Sequence, residues 1–487
     1  MASASSSHFG LDIVVARAKR KGFVYPGSDI YGGLANSWDY GPYGSLVKKN
    51  IADARWQYFV QERDDIYGMD TAILAHPRTW EASGHVSNFG DFLIDDKKTG
   101  QRFRPDKLIE DDLEQKRQSL SEEDLLKFLA QTYGVENTVP ESWGPDVMLA
   151  YMKGESIKNP DTKKDAEWTD IRKFTLMLST HLGPIEGDAS KVWMRPETCQ
   201  SLFTNFKNIL NTTRARIPFG LAQIGKAFRN EITPGQFLYR TREFEQMEIE
   251  YFVPNDPEIA LKSHQEWRDI SLYFWHHIIK LNPDRIRVRE HEQDELSHYS
   301  SATMDVEYLY PWGWGELQGL AYRGNFDLTQ HQQFSGTDMQ YHDPKTGKRY
   351  VPHVIEPSFG LSRTVMAVFL DCYDEEVIEK NDGSTDTRVV IRFPFALAPV
   401  KYAIFPLMEK DEAMMTLARD LFKKLSKKYY CEFDSSGNIG KRYRRQDEIG
   451  TPYCLTIDHQ SLEDGTITIR DRDTMKQERI SIDSLLG

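Results

Sequence analysis

Apolar residues recur along this chain in two periods, and the switches between them outline its elements. Asp12 to Ala18 interleaves Ile13, Val14, Val15 and Ala16 with charge and predicts a short helix. Leu46, Val47, Ile51, Ala54 and Tyr58 recur at helical spacing. They predict a long amphipathic helix that begins near Gly44 and ends before Arg63-Asp64-Asp65. Thr71-Ala72-Ile73-Leu74 reads as a strand stopped by Pro77. From about Pro105 to Asp170 charge clusters dominate, such as Glu110-Asp111-Asp112 and Glu122-Glu123-Asp124. Leu120, Leu125, Leu126 and Leu129 give one helix there, and the segment 106–170 is expected to be an insertion without a core of its own. Phe244, Met247, Ile249 and Tyr251 interleave with charged residues, the mark of a half-buried antiparallel strand. Glu266 to Ile279 predicts a helix. After the loop Asn381-Asp382-Gly383-Ser384, strands at Val400–Pro406, Tyr429–Phe433, Cys454–Ile457 and Thr466–Ile469 alternate with helices at Asp411–Lys428 and Gly440–Glu448. That order predicts a small α/β domain over 390–487.

A length of 487 residues suggests about three folding units. The 61 Lys+Arg against 74 Asp+Glu leave a net charge of −13, so a whole-chain basic footprint for nucleic acid is absent. No window of about 18 apolar residues occurs, which excludes a transmembrane helix. The Ser-rich start lacks the basic and apolar regions of a secretory signal. Four scattered cysteines, none in a C-x-x-C pair, point to a reducing, cytoplasmic compartment. Neither a G-x-x-x-x-G-K-[ST] loop nor a G-x-G-x-x-G fingerprint is present. A nucleotide would have to be held without a glycine-rich phosphate loop.

The richest stretch runs from Gly225-Lys226-Ala227-Phe228-Arg229-Asn230-Glu231 through Thr233-Pro234-Gly235 to Tyr239-Arg240-Thr241-Arg242-Glu243-Phe244-Glu245-Gln246-Met247-Glu248. Two strands flanking a Pro-Gly loop would put Arg229 and Glu231 on one face, and Arg242, Phe244, Gln246 and Glu248 on one face of the returning strand. Guanidinium, aromatic ring and carboxylates together could hold a phosphate, a base and an amine. A surface hairpin with cross-strand ion pairs fits the same spacing. His291-Glu292-Gln293-Asp294-Glu295-Leu296-Ser297-His298 is not an H-E-x-x-H site, because position 295 is Glu. Cys199 has no base specified beside it and reads as a small buried thiol. Lys441-Arg442-Tyr443-Arg444-Arg445 suits either RNA phosphates and bases or a solvated helix face.

The string Phe228-Arg229-Asn230-Glu231 … Arg240-x-Arg242-Glu243-Phe244 resembles motif 2 of class II aminoacyl-tRNA synthetases. Its extension through Glu245-Gln246-Met247-Glu248 is similar to glycyl-tRNA synthetases of the homodimeric (α2) type. Further segments agree in the same order. Asp39-Tyr40-Gly41-Pro42-x-Gly44 to Pro77 resembles motif 1, with Ser83-Gly84-His85 just beyond. Arg195-Pro196-Glu197-Thr198 resembles the substrate-side loop, and Gly313-Trp314-Gly315-Glu316-Leu317-Gln318-Gly319 the metal- and ATP-contacting strand. Pro352-His353-Val354-Ile355-Glu356-Pro357-Ser358-x-Gly360-Leu361-x-Arg363 resembles motif 3. Nearly the whole chain outside 106–170 is covered.

The resemblance implies an α+β fold: an antiparallel sheet of six to seven strands flanked by helices over 1–105 and 171–385, followed by an anticodon-binding α/β domain. It implies activation of glycine by ATP to glycyl-adenylate, then transfer to the 3′ end of tRNA-Gly, by a cytoplasmic homodimer using Mg²⁺. Arg229 is the implied catalytic residue, clamping the α-phosphate and the glycine carboxylate. The implied ATP site adds Asn230, Glu231, Tyr239, Arg240, Thr241, Arg242 and Glu243, with Phe244 under adenine and Arg363 opposite. Glu316 with Leu317 belongs to it as the Mg²⁺ carboxylate segment, as do Gly360, Leu361 and Ser362. For glycine the implied set is Glu197, Glu248 and Glu356 around the ammonium, Ser358 filling the space of a Cβ, and Arg104. Phe244, Glu245, Gln246, Met247, Pro357, Phe359 and Gly360 complete it. Lys441, Arg442, Arg444 and Arg445 are the implied tRNA contacts. A non-catalytic synthetase-like RNA-binding or accessory subunit is the alternative; the intact charged set opposes it. The acid ring and Glu356-Pro357-Ser358 oppose a related synthetase for threonine, serine, proline or histidine.

Overall fold

The computed structural model describes residues 10–184, 190–291, 301–379 and 383–486. Its organising element is a seven-stranded sheet of β1 (Ile66–Gly68), β2 (Phe219–Phe228), β3 (Glu243–Val253), β4 (Ile286–Glu290), β5 (Ala302–Tyr310), β6 (Gly313–Gly324) and β7 (His353–Gly360). The spatial order is β4-β5-β6-β7-β3-β2-β1, antiparallel except where β1 runs beside β2. Successive side chains on a strand point to opposite faces. Met247, Ile249, Tyr251 and Val253 of β3 therefore enter the main core with Ile355 and Phe359 of β7. Gln246, Glu248 and Glu250 face the other way.

Three helices cover the apolar face: α1 (Pro42–Trp56), α2 (Pro257–Tyr273) and α3 (Leu361–Cys372). α1 starts on a proline at its first position, where a missing N–H costs nothing, and buries Gly44, Val47, Ile51 and Arg55. Gly44 cannot be larger, because a Cβ there would lie 1.9 Å from the Phe23 carbonyl oxygen. The expected end of this helix holds, since a wider π turn at Gln57–Gln61 closes it. The expected helix at Glu266–Ile279 starts earlier, at Pro257, where the Asp256 side chain accepts from the N–H groups of Glu258 and Ile259. Thr71–Leu74 is not a strand; only an isolated bridge from Leu74 to Met194 forms.

The charged segment does have its own core, contrary to expectation. Helices at Pro105–Arg117, Glu122–Tyr133 and Pro145–Gly154 bury Leu108, Ile109, Leu113, Leu125, Leu129, Met148, Tyr151 and Met152 among themselves. Ile94 joins this cluster, with Phe92, Phe103 and Ile171 packed against it, so the packing unit reaches beyond 106–170 onto a three-stranded sheet at its base.

The C-terminal sheet contains β8 (Tyr402–Pro406), β9 (Cys431–Phe433), β10 (Tyr453–Ile457), β11 (Thr466–Asp471) and β12 (Gln477–Ser481), in the order β9-β8-β10-β11-β12. It packs with α4 (Glu412–Leu425) and α5 (Ile439–Asp447), as the alternation expects, with β12 added. A hairpin of Tyr373–Glu379 and Thr385–Ile391 leads into it, and Asp447 is held between Arg388 (2.9 Å) and Arg470 (2.8 Å). Asn381 and Asp382 of the expected loop, the Ser-rich start and Glu292 to His298 lie outside the described residues. Among the described residues no helix is long and apolar enough to cross a membrane.

Candidate active site

Strand register assembles the polar face of the sheet. Glu248 of β3 stands opposite Gln223 of β2 and Ser358 of β7; Ser358 stands opposite Gly319 of β6, and Gly319 opposite Asp305 of β5. Gln246 and Gly360 form the neighbouring pair in one direction, and Glu356 with Ala321 in the other. A cavity of about 450 Å³ lies over these rows. At Gly225 a Cβ would meet the Arg195 guanidinium at 2.3 Å, so glycine there lets the Arg195–Thr198 loop close onto the sheet.

The inner end of the cavity is acidic. Glu248 accepts from the Thr198 backbone N–H at 2.9 Å, the Ser358 hydroxyl at 2.9 Å and the Gln246 amide at 2.8 Å, and also from the Thr198 hydroxyl. Glu197 faces His85 Nε2 at 3.2 Å and accepts from Cys199 Sγ at 2.7 Å and Gln200 at 3.1 Å. Arg323 donates to Glu356 at 2.8 Å and to both oxygens of Asp327 at 2.8 and 2.9 Å. Burial pushes the carboxyls of Glu248 and Glu356 upward, and their mutual repulsion and that of Glu197 add to it. Burial pushes Glu197 upward too, but His85, Arg323 and the Cys199 hydrogen bond outweigh it and hold Glu197 well below the usual carboxylate range. The site thus sets several acids close together with one guanidinium among them, which suits a small cationic ligand.

The outer end is cationic and aromatic. Arg229 lies beyond the end of β2; its Nε donates to the Pro196 carbonyl at 3.1 Å, and its guanidinium sits 5.3 Å from the centroids of both Phe244 and Phe89. Arg363, from the first turn of α3, pairs with Glu316 at 2.9 Å and stacks 4.3 Å above Tyr239. Arg363 beside it holds the Glu316 carboxyl below its ordinary value. Glu231 and Arg240 face each other at 3.9 Å, and Arg104 pairs with Asp91 at 3.1 Å. The loop bearing Glu231 and Arg240 is tethered by Asn36, whose amide donates to the carbonyls of Gly235, Phe237 and Arg240 at 3.1, 2.8 and 2.6 Å.

The cavity gathers Arg104, Glu197, Arg229, Glu231, Tyr239, Arg240, Thr241, Phe244, Glu245, Gln246, Glu248, Glu316, Glu356, Ser358, Gly360, Ser362 and Arg363 from the sequence-based set. Others fall elsewhere. Met247, Leu317, Phe359 and Leu361 point into the core, as their positions in the alternation require, and Pro357 is buried. Arg242 and Glu243 line a neighbouring cavity, where Glu243 pairs with Lys226. Phe244, Gln246 and Glu248 share the cavity side of β3 as expected, but Arg242 does not join them, and Arg229 and Glu231 reach the cavity from the loop between β2 and β3 and not by strand alternation. Asn230 donates its backbone N–H to Leu176 instead of lining the cavity. The expected tRNA patch is also altered. Arg442 is only 3% exposed and donates to the carbonyls of Pro406, Ser435 and Gly437. Arg444 pairs with Asp386 and Arg445 with Asp434, while Lys441 remains exposed. Residues that no sequence segment singled out are Asp91, Arg323 and Asp305. His291, set aside as no metal motif, pairs with Asp305 at 2.8 Å, and His85, noted only as following motif 1, faces Glu197. Continuing the β6 alternation from Gly319 through Ala321 would have found Arg323.

Antiparallel sheet, arginines at the mouth and a downstream α/β domain define a class II aminoacyl-tRNA synthetase, and comparison with known proteins agrees. Residues 185–372 match the tRNA synthetase class II core domain (G, H, P, S and T), and residues 401–487 match the anticodon binding domain. Solved structures of prolyl-tRNA synthetase from Cryptosporidium parvum share the fold, with a TM-score of 0.60 at 12% identity over 98% of this chain and 76% of that one. Among curated proteins, the glycine–tRNA ligase of Clostridium kluyveri is 50% identical over 98% of this chain and 96% of its own length. That of Acetivibrio thermocellus is 48% identical over 98% and 97%, and that of Staphylococcus aureus 47% identical over 98% and 97%. The chain belongs to the glycine–tRNA ligase family.

Proposed function

We propose that this chain joins glycine to tRNA-Gly through a glycyl-adenylate, with the glycine ammonium at the acidic inner end of the cavity and ATP at its cationic mouth. The observation that carries this is the single cavity joining Glu197, Glu248, Glu356 and Ser358 to Arg229, Phe244, Glu316 and Arg363. The carboxylate of glycine attacks the α-phosphorus, pyrophosphate leaves, and negative charge grows on the phosphoryl oxygens. Fixed positive charge and positioning are what such a step needs. Arg229 supplies a fork that can hold two oxygens at once. Phe244 offers a face for adenine and Glu231 a carboxylate for its amino group. Glu197, Glu248 and Glu356 hold the ammonium, and Ser358 takes the space of a side chain. Glu316 and Asp305 bring hard carboxylate oxygens to the cavity from adjacent strands, a donor set that fits Mg²⁺ bound partly through water. Bound there, Mg²⁺ would neutralise charge between phosphates.

The catalytic unit is proposed over 1–105 and 171–385, with 106–170 inserted and the anticodon-binding unit over 390–487. Lys441 is the member of the basic run that remains for RNA, since Arg442 is occupied within the domain. A C2 homodimer is proposed, supported by the exposed apolar loop residues Ile30, Tyr31 and Leu34, 87, 86 and 73% exposed beside motif 1. A cytoplasmic setting is supported by four free, buried cysteines. ATP–pyrophosphate exchange with glycine, alanine and serine in turn tests the reaction. Exchange with glycine alone is expected; none with any of them refutes the reading, and equal exchange with alanine refutes the ammonium pocket's selectivity.

A further inference from the structure

Glu250 stands out beneath the acidic end, close to Glu248 and Glu356. It lies two residues beyond Glu248 on the same face of β3, is wholly buried, and neither of its carboxylate oxygens has a hydrogen-bond partner. Its acidic neighbours are all satisfied: Glu248 by Thr198 and Ser358, Glu356 and Asp327 by Arg323. A buried carboxyl without a partner bears the full desolvation penalty of the group. Burial pushes Glu250 well above the usual carboxylate range, and Glu356 adds to it. Protonation removes its charge but still leaves it no partner.

The surroundings offer what it lacks. One donor atom each from Cys199, Glu248, Glu250 and Glu356 lies within 4.8 Å of the others, and all four residues are buried. A tetrahedral ion with bonds of about 2.0–2.3 Å needs donors about 3.3–3.8 Å apart, so the set must close slightly. We propose that Cys199, Glu248, Glu250 and Glu356 form a four-donor site for a borderline divalent cation of the zinc class, which glycine and the cation occupy in turn. The thiolate selects against Mg²⁺ and Ca²⁺, which prefer oxygen alone. The cation would offset two of the four donor charges; Arg323, already shared with Asp327, offsets part of the rest. Binding involves no redox change. The thiol proton, now donated to Glu197, and any carboxyl protons of the cluster leave to solvent as the cation enters. The competition with glycine rests on the proposed ammonium pocket; the cation site does not.

The full-length protein is titrated with Co²⁺ in place of zinc, following the thiolate-to-cobalt charge-transfer absorption in the near ultraviolet, with and without glycine. One equivalent per chain is expected, with the band lost in both Cys199→Ser and Cys199→Ala. At least tenfold weaker binding is expected in Glu250→Gln, whose thermal unfolding is compared with the parent. Glycine should abolish the band. No band, or a band that survives loss of Cys199, overturns the site, and so does unchanged affinity in Glu250→Gln. A band that depends on Cys199 and Glu250 but persists in saturating glycine upholds the cation site and instead removes the ammonium from this pocket.

Discussion

Arg323 is a buried cation bound to two acids of the pocket, and removing it gives a signed, quantitative expectation. Arg323→Met keeps the length of the side chain but deletes three charge-assisted hydrogen bonds of 2.8, 2.9 and 2.8 Å. Asp327 and Glu356 are left buried without their partner. Breaking a buried pair from one side costs about 3–5 kcal/mol. At about 2–4 °C per kcal/mol this lowers the melting temperature of the catalytic unit by ~6–20 °C. The loss must also depend on pH. Burial already raises Glu356, with Arg323 pulling the other way, so the variant's Glu356 moves higher still. A carboxyl whose folded value exceeds its unfolded one contributes stability that is complete below the unfolded value and is lost as pH rises through the folded value. The parent's Glu356 is itself raised to about 8, so below that value both proteins carry the same proton there, and the pH-dependent part of the destabilisation appears only above it. Differential scanning calorimetry near pH 7 and near pH 9.5, with Arg323→Lys as partial rescue, should show the larger loss at the higher pH. A loss under ~1 kcal/mol at both, or one that is equal at the two pH values, refutes the reasoning.

Four other outcomes are expected. Arg229→Ala should lower ATP–pyrophosphate exchange by about 10²–10³-fold or more while tRNA binding, measured by filter retention, stays near the parent's; retained exchange removes Arg229 from catalysis. Because only ionised Glu356 attracts an ammonium and burial raises this group, the KM for glycine should fall as pH rises through the neutral range, and Glu356→Gln should flatten that profile. Arg442→Met should destabilise the anticodon-binding domain by about 2–4 kcal/mol in urea unfolding, because carbonyls of Pro406, Ser435 and Gly437 lose their donor. Lys441→Ala should leave stability unchanged and weaken tRNA binding.

The parts of the fold that were legible in sequence are those with a strong local period. α1, β3 and the C-terminal alternation of strands and helices follow from apolar spacing alone, because one face of each packs and the other does not. The candidate site was legible through motif residues, whose types and order picked out most of the cavity's polar lining even where local geometry was misjudged. Arg229, Glu231 and Arg242 were expected on strands but sit on a loop held by Asn36, a contact between residues about 200 positions apart. The insertion core was hidden because its apolar residues, such as Trp143, Tyr151 and Trp168, are spread over several short elements between charged ones. Arg442 shows the limit of reading charge as surface: a basic run on a helix still turns one side inward, and that side found carbonyls. Arg323 lies outside every motif, so only its place in the β6 alternation marked it.

The register of β3 against β2 and β7 has a consequence for how failure would look. Sliding β3 by one residue would turn Met247 and Ile249 into the cavity and drive Glu248 and Glu250 into the apolar core. The acidic end of the cavity and the proposed face beneath the nucleotide would vanish together. Misassembly of this sheet therefore yields an inert chain and never a sluggish or less selective one. In any preparation, the number of titratable active sites should count correctly paired molecules, and the turnover per titrated site should be the same in good batches and poor ones.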